Sequence, residues 1–189
     1  TDGFSPIRHI HISRVGDFGS VDIQAKDYQR DYFGGVVLAR DLGAALETRV
    51  AELKNLIVYR PAKVLSVTPD AISPSVLIEC DGKQQTISAR MLIGADGTQS
   101  MVRSALNIGT DDFDYRQHLF VCSLQTDQMS DGTAYERFSS QGPVALLPMP
   151  GGQYGAICGV EMEQVKLVSA FSDAEYLDYF QQRFGWRAG

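Results

Sequence analysis

Residues 90–106 constrain this chain more than any other stretch: Arg90-Met-Leu-Ile-Gly94-Ala-Asp96-Gly97-Thr98-Gln-Ser100-Met-Val-Arg103-Ser-Ala-Leu106. The apolar run Met91–Ile93 is too short for a buried helix and reads as a strand. Gly94 and Gly97 bracket a tight turn, and Thr98 stands where the cap of a following helix belongs. A glycine at such a turn lets a ligand approach the backbone, and free N–H groups at a helix start favour phosphate. Asp96, at the carboxyl end of the strand, can accept from a ribose hydroxyl or order water beside a pyrophosphate. It can equally satisfy backbone donors of its own turn. On these residues alone both readings stand.

The flanking sequence supplies more strands than helices. Ile7–Ser13 reads as a strand, Arg14–Gly19 as a turn and Ser20–Gln24 as a returning strand. His9 and His11 are two apart and share a strand face, and with no third ligand nearby two ordinary strand histidines are favoured over a metal pair. Lys26–Phe33 suggests a short helix broken by Gly34-Gly35, and Val36–Leu38 is extended. Asp41 stands as the cap of an amphipathic helix with Leu42, Leu46, Val50 and Leu53 on one stripe, ending at Asn55. Leu56–Tyr59, Ala62–Thr68 and Ser75–Cys80 are strand-like, and Asp81-Gly82 is a two-residue hairpin signal joining Val76–Glu79 to Gln84–Ser88. After an acidic crossing over Asn107–Tyr115, four short runs (Gln117–Gln125, Thr133–Phe138, Val144–Met149 and Gln153–Val160) suggest an antiparallel sheet. Ser172-Asp-Ala-Glu175 is a capping box opening a helix with Leu177, Phe180 and Phe184 on its apolar stripe and Gly185 at its end.

Composition narrows the function classes. The 189 residues are 44% hydrophobic with a net charge of −6, ordinary for a globular domain and unlike a nucleic-acid-binding surface. No apolar run reaches the ~20 residues of a membrane-spanning helix, and the start Thr1-Asp-Gly-Phe4 has no signal-peptide pattern. Cys80, Cys122 and Cys158 are widely spaced and odd in number, which points to free thiols in a reducing cytoplasm.

No catalytic constellation stands alone. The chain has no G-x-S-x-G, no H-E-x-x-H and no Walker lysine loop, and His9, His11 and His118 lack the context of a triad. Glu136 and Arg137 can each face a pocket, but as neighbours on a strand they point to opposite faces. Any chemistry is therefore expected from a cofactor.

Several segments together resemble a known family. They are His9-Ile-His-Ile-Ser13, Gly35-Val-Val-Leu-Ala-Arg40-Asp-Leu42, Gly94-Ala-Asp96-Gly97 with Ser100 and Arg103, the Glu136-Arg-Phe138 to Gly142-Pro-Val-Ala-Leu-Leu-Pro-Met149 run, and Phe184-Gly-Trp-Arg187. In this order they resemble the flavin-dependent aromatic hydroxylases of the p-hydroxybenzoate hydroxylase superfamily. Within it they look most like the ubiquinone-biosynthesis branch, the 2-polyprenyl-6-methoxyphenol hydroxylases. The resemblance runs from about Ile7 to Arg187.

It implies an α/β to α+β fold: a partial FAD-binding α/β domain over residues 26–110, with an antiparallel substrate sheet contributed by residues 1–25 and 111–189. It implies that NAD(P)H reduces FAD and that a flavin C4a-hydroperoxide hydroxylates a prenylated phenol. Carried over residue by residue, Arg40, Asp96, Gly97 and Arg103 would serve FAD and NAD(P)H. Some relatives carry Gln where this chain has Gly35. For the substrate side, Leu146, Leu147, Pro148 and Met149 are the expected apolar wall, with core packing as the competing reading. A prenylated substrate implies access at a membrane surface, the inner membrane face or a ubiquinone-biosynthesis complex. The family's G-x-G-x-x-G and later Gly-Asp motifs are missing from these residues, so a central fragment with weak or absent FAD affinity is expected. Another flavoenzyme reaction on this scaffold, such as halogenation or prenyl reduction, and a non-catalytic α+β binding module are the alternatives.

Overall fold

The computed structural model describes residues 3–188, which divide into two units, residues 3–51 with 114–188 and residues 52–113. In the first unit the chain opens with β1 (Phe4–Ile7) and β2 (His9–Arg14), two strands where the alternation suggested one. Arg8 is the break: its N–H and the N–H of His9 both turn to the Gly132 carbonyl. β3 (Ser20–Gln24) returns antiparallel to β2, as the turn residues between them require. Lys26–Phe33 does not make a helix; it yields one 3₁₀ turn over Ala25–Tyr28, ended by Gln29 at φ 55°. β4 (Gly34–Val37) then pairs with β1. A Cβ on Gly35 would sit 2.2 Å from the Phe4 ring, so this pairing requires glycine there.

Helix α1 (Ala39–Glu52) carries Leu42, Leu46 and Val50, with Leu53 just beyond it, and all four are exposed. Asp41 is not its cap. The first bonds of the helix run from Asp41 N and Leu42 N to the Leu38 carbonyl, which places Asp41 inside the first turn, where its charge suits the positive helix end.

The second unit is built on its hairpin. Asp81 and Gly82 both have positive φ, 51° and 72°, and β6 (Ser75–Cys80) pairs with β7 (Lys83–Ser88), with Glu79 opposite Gln84. β5 (Lys63–Thr68) completes a three-stranded sheet in the order β5-β6-β7. Leu56–Tyr59 and Met91–Ile93 form no strand, and Ile57, Met91 and Ile93 are strongly exposed. Short apolar runs of this kind suit strands buried on both faces of a sheet, and among the described residues neither run has an edge to pair with. Helix α2 (Met101–Ala105) follows.

Returning to the first unit, β8 (Gln117–Leu124), β9 (Thr133–Phe138), β10 (Val144–Pro148) and β11 (Tyr154–Glu161) join β2 and β3 in a six-stranded sheet ordered β3-β2-β9-β10-β11-β8. Every pairing is antiparallel except β2 with β9, which the run of short strands did not reveal. The short α3 (Val165–Val168) and then α4 (Asp173–Phe184) close the chain. The capping box forms in full: Ser172 Oγ accepts from Glu175 N, and Glu175 Oε2 accepts from Ser172 N. Gly185, at φ 83°, ends the helix.

Strand alternation gives the sheet two unlike faces. Val144, Leu146, Ala156, Cys158 and Val160 point to one side, where Phe180, Phe184 and Val168 pack on them to form the core. Fully burying two phenylalanines contributes about 1.5–3 kcal/mol each. Leu177, expected on the same stripe, is half exposed instead. Cys80, Cys122 and Cys158 are all free thiols. Because the capping box fixes where α4 begins, Ser172→Ala should destabilise the protein by about 1 kcal/mol. A urea unfolding midpoint equal to wild type would show that the cap is not holding the helix.

Candidate functional site

The Gly94–Arg103 turn is held from inside by Asp96. Its Oδ2 accepts from Met101 N at 2.7 Å and Val102 N at 3.2 Å, and its Oδ1 accepts from Ser100 Oγ. Ser100, not Thr98, caps α2, its Oγ accepting from Arg103 N at 3.0 Å. Arg103 Nη2 donates to the Thr98 carbonyl. The hydrogen bond from Ser100, reinforced by those from the backbone, holds the Asp96 carboxyl below the usual carboxylate range. The N–H groups at the helix start are thus already engaged and are not the open phosphate cradle expected from the sequence.

What the turn still offers is an ionised carboxylate fixed in place and an open flank. Gly97 has φ 83°, and a Cβ built there meets nothing within 4 Å, whereas one on Gly94 would lie 2.9 Å from Val102 Cβ. Gly94 is therefore explained by packing, and Gly97 by the turn and the space beside it. In the other unit, the Arg40 side chain is 80% exposed, tied by a 3.4 Å contact to Asp41 Oδ1. Taken separately, the turn of the second unit offers a carboxylate that can accept from a hydroxyl beside open backbone at Gly97, and Arg40 of the first unit offers an exposed guanidinium that can donate to phosphate oxygens. Gly35 adds no side-chain contact to a cofactor, since its Cβ position is filled by Phe4.

The sheet of the first unit carries the other candidate. On the face away from the Val144–Leu146 core, the strand register aligns Val21, Ile12, Glu136, Ala145, Ile157 and Val121 in one row across the strands. Glu136 is the single charged side chain in that apolar row. Among the described residues it makes no hydrogen bond or ion pair, and burial alone pushes its carboxyl up from the ordinary 4.5. Such a carboxylate is poised to take a proton or a hydroxyl hydrogen from something that sits on this face.

The four residues of the expected apolar wall do not act together. Leu146 and Pro148 are buried on the α4 side, Leu146 at 2% exposure within the core. Leu147 and Met149 lie on the Glu136 side, where Met149 Sδ reaches Ser123 Oγ at 3.8 Å across Gly155. His9 and His11 do share a face, as their spacing requires, and both rings bond Asp22 Oδ1, at 3.0 and 2.9 Å. Asp22 was not apparent as their partner in the sequence. Thirteen and eleven residues separate it from the two histidines, and the β2–β3 register brings them together.

Comparison with known proteins gives this geometry a context. Residues 37–187 match the sequence profile of a family described as FAD binding domain. A Synechocystis sp. protein, slr1300, is 27% identical over 188 residues, covering 100% of this chain and 45% of that protein. PqsL from Pseudomonas aeruginosa, described as a probable FAD-dependent monooxygenase, superposes with a TM-score of 0.77 at 18% identity, over 98% of this chain and 51% of PqsL. CmlS, a flavin-dependent halogenase, superposes at 0.71 with 16% identity, over 96% of this chain and 34% of CmlS. The chain thus has the mixed α/β fold of the flavin hydroxylases and spans about half the length of the relatives it matches, or less.

Two outcomes follow from the site geometry. A carboxyl whose pKa is raised by folding costs stability as pH rises past its unfolded value, because the native state must give up a favoured proton. Glu136→Gln should therefore melt at or above the wild-type temperature at pH 7, with the difference closing below about pH 4; a lower Tm at pH 7 would contradict the isolated carboxylate. Asp96→Ala removes the acceptor for Met101 N, Val102 N and Ser100 Oγ, so it should lower Tm and, in the full-length protein, weaken FAD retention and reduction by NAD(P)H. Unchanged flavin content and reduction rate would remove the role given to Asp96.

Proposed function

We propose, from the premise that the chain belongs to the FAD binding domain family, that it is the central part of an FAD-dependent monooxygenase. The full-length enzyme hydroxylates a prenylated methoxyphenol in ubiquinone biosynthesis. The observation that carries the reading is the apolar row across the sheet in which Glu136 is the one charged side chain. Leu147 and Met149 supply an apolar wall for the ring and the start of its prenyl tail, and keep water from the reacting carbon. Glu136 accepts the hydrogen of the phenol hydroxyl. Its raised pKa makes it a stronger base than an exposed carboxylate, and drawing off that proton makes the ring electron-rich.

Arg40, Asp96, Gly97 and Arg103 are the residues of this chain that would hold FAD and receive NAD(P)H, Asp96 through its remaining lone pairs and Arg40 through its guanidinium. Bound FAD, reduced by NAD(P)H, supplies the activation of O2 that no side chain can. Because about half or more of the relatives' length lies outside this chain, the 189 residues alone should be inactive and bind FAD weakly or not at all. Micromolar or tighter affinity in a fluorescence titration of the isolated chain would contradict this.

The enzyme would work in the cytoplasm, at the inner membrane face or within a ubiquinone-biosynthesis complex. A prenylated substrate partitions into the bilayer, and no described helix is long and apolar enough to cross a membrane. A net charge of −6 gives it no electrostatic reason to bind nucleic acid. The fold shared with CmlS favours halogenation as a second reading.

Incubating the full-length protein with a prenylated methoxyphenol, NAD(P)H, O2 and chloride distinguishes them by product mass. One added oxygen atom supports hydroxylation, and a chlorinated ring supports the second reading. No product and no bound flavin would leave a non-catalytic binding module.

A further inference from the structure

The residue after Glu136 points the other way. Arg137, paired with Val144 on the core side of the sheet, lines a cavity of about 510 Å³ together with Ser139, Ser140, Gln141, Gln164 and Arg183. Among the described residues no carboxylate lines it. Arg137 Nε and Nη1 are buried without a hydrogen-bond partner. Arg183, itself buried, gives its Nη1 and Nη2 to neutral acceptors: the Gly159, Gln141 and Gly142 carbonyls, the Tyr179 hydroxyl and Cys158 Sγ. Its Nε is buried and unpartnered too. Burial lowers the pKa of Arg137, and the charge of Arg187 lowers it further.

Two guanidinium groups thus line one cavity, and the exposed Arg187 is near enough to Arg137 to add its charge, in a chain of net charge −6. Buried guanidinium nitrogens with no acceptor are costly, and the cost falls when an anion reaches them. A guanidinium offers parallel N–H donors that match two oxygens of a carboxylate or phosphate. The hydroxyls and amides along the wall add donors, and the volume is that of a small-ligand pocket rather than a single-ion niche.

We propose that this cavity binds a small molecule through an oxyanion, a phosphate or carboxylate group, on the opposite side of the sheet from Glu136. Arg137 is the primary contact, Arg183 fixes the cavity wall through its carbonyl bonds, and Ser139 and Ser140 complete the donor set. The site does not depend on the flavin reading.

The test is thermal unfolding of the full-length, FAD-saturated protein in an anion-poor buffer, titrated separately with inorganic phosphate and with acetate. Wild type should show a saturable rise in Tm with at least one of them, and which one responds identifies the oxyanion. Arg137→Gln should begin at or above wild type without anion, since repulsion is relieved. Its affinity should be roughly tenfold or more weaker, the loss of one charge-assisted hydrogen bond. Ser140→Asp, which brings a carboxylate to the cavity while leaving Arg137 in place, should raise the anion-free Tm and abolish the response. The proposal is overturned if wild type shows no saturable rise, if both variants respond as wild type does, or if Arg137→Gln melts well below wild type without anion.

Discussion

The packing of α4 on one face of the six-stranded sheet is the interaction on which the first unit depends. Phe180 and Phe184 fill the side formed by Val144, Leu146, Ala156 and Cys158, and the buried Arg183 ties the helix to the Gln141–Gly142 turn and to Gly159. With that face committed, strand periodicity leaves every intervening residue on the other side. The chemistry follows from this division. Glu136 and Arg137 are adjacent in sequence, yet one stands alone among Ile12, Ala145 and Ile157 and the other lines a basic cavity. A one-residue slip of β9 would exchange them and leave neither site intact.

The second unit works by local hydrogen bonding rather than burial. Ile78 is its one buried apolar residue among those described, and the Asp96 turn is organised by its own carboxylate. This explains why the same residues serve two readings. A carboxylate that nucleates a helix is already rigid and ionised, which is also what a nucleotide hydroxyl needs from a partner.

Features set by short-range chemistry were legible in the sequence. The Asp81-Gly82 hairpin, the Ser172 capping box and the strands Ser20–Gln24, Ser75–Cys80 and Thr133–Phe138 occupy the residues that turn and pattern rules assign to them. Features set by long-range partners were not. Met91–Ile93 has strand composition but no edge to pair with among the described residues, and the stripe of α1 is apolar yet exposed. The parallel β2–β9 pairing joins segments more than a hundred residues apart, and no local pattern encodes it. The apolar Leu146–Met149 run was visible, but its division between two faces depends on where α4 lies. Opposite directions for Glu136 and Arg137 were readable from alternation alone; that both directions lead to usable environments was not.

The central claim is that the Glu136 side of the sheet receives the substrate. A crystal structure of the full-length protein with FAD and a prenylated phenol tests it most directly. The account predicts the phenol ring against Leu147 and Met149, with its hydroxyl within hydrogen-bond distance of a Glu136 oxygen. A ring bound on the α4 side of the sheet, or one with no contact to the Ile12–Glu136–Ala145 row, would contradict it.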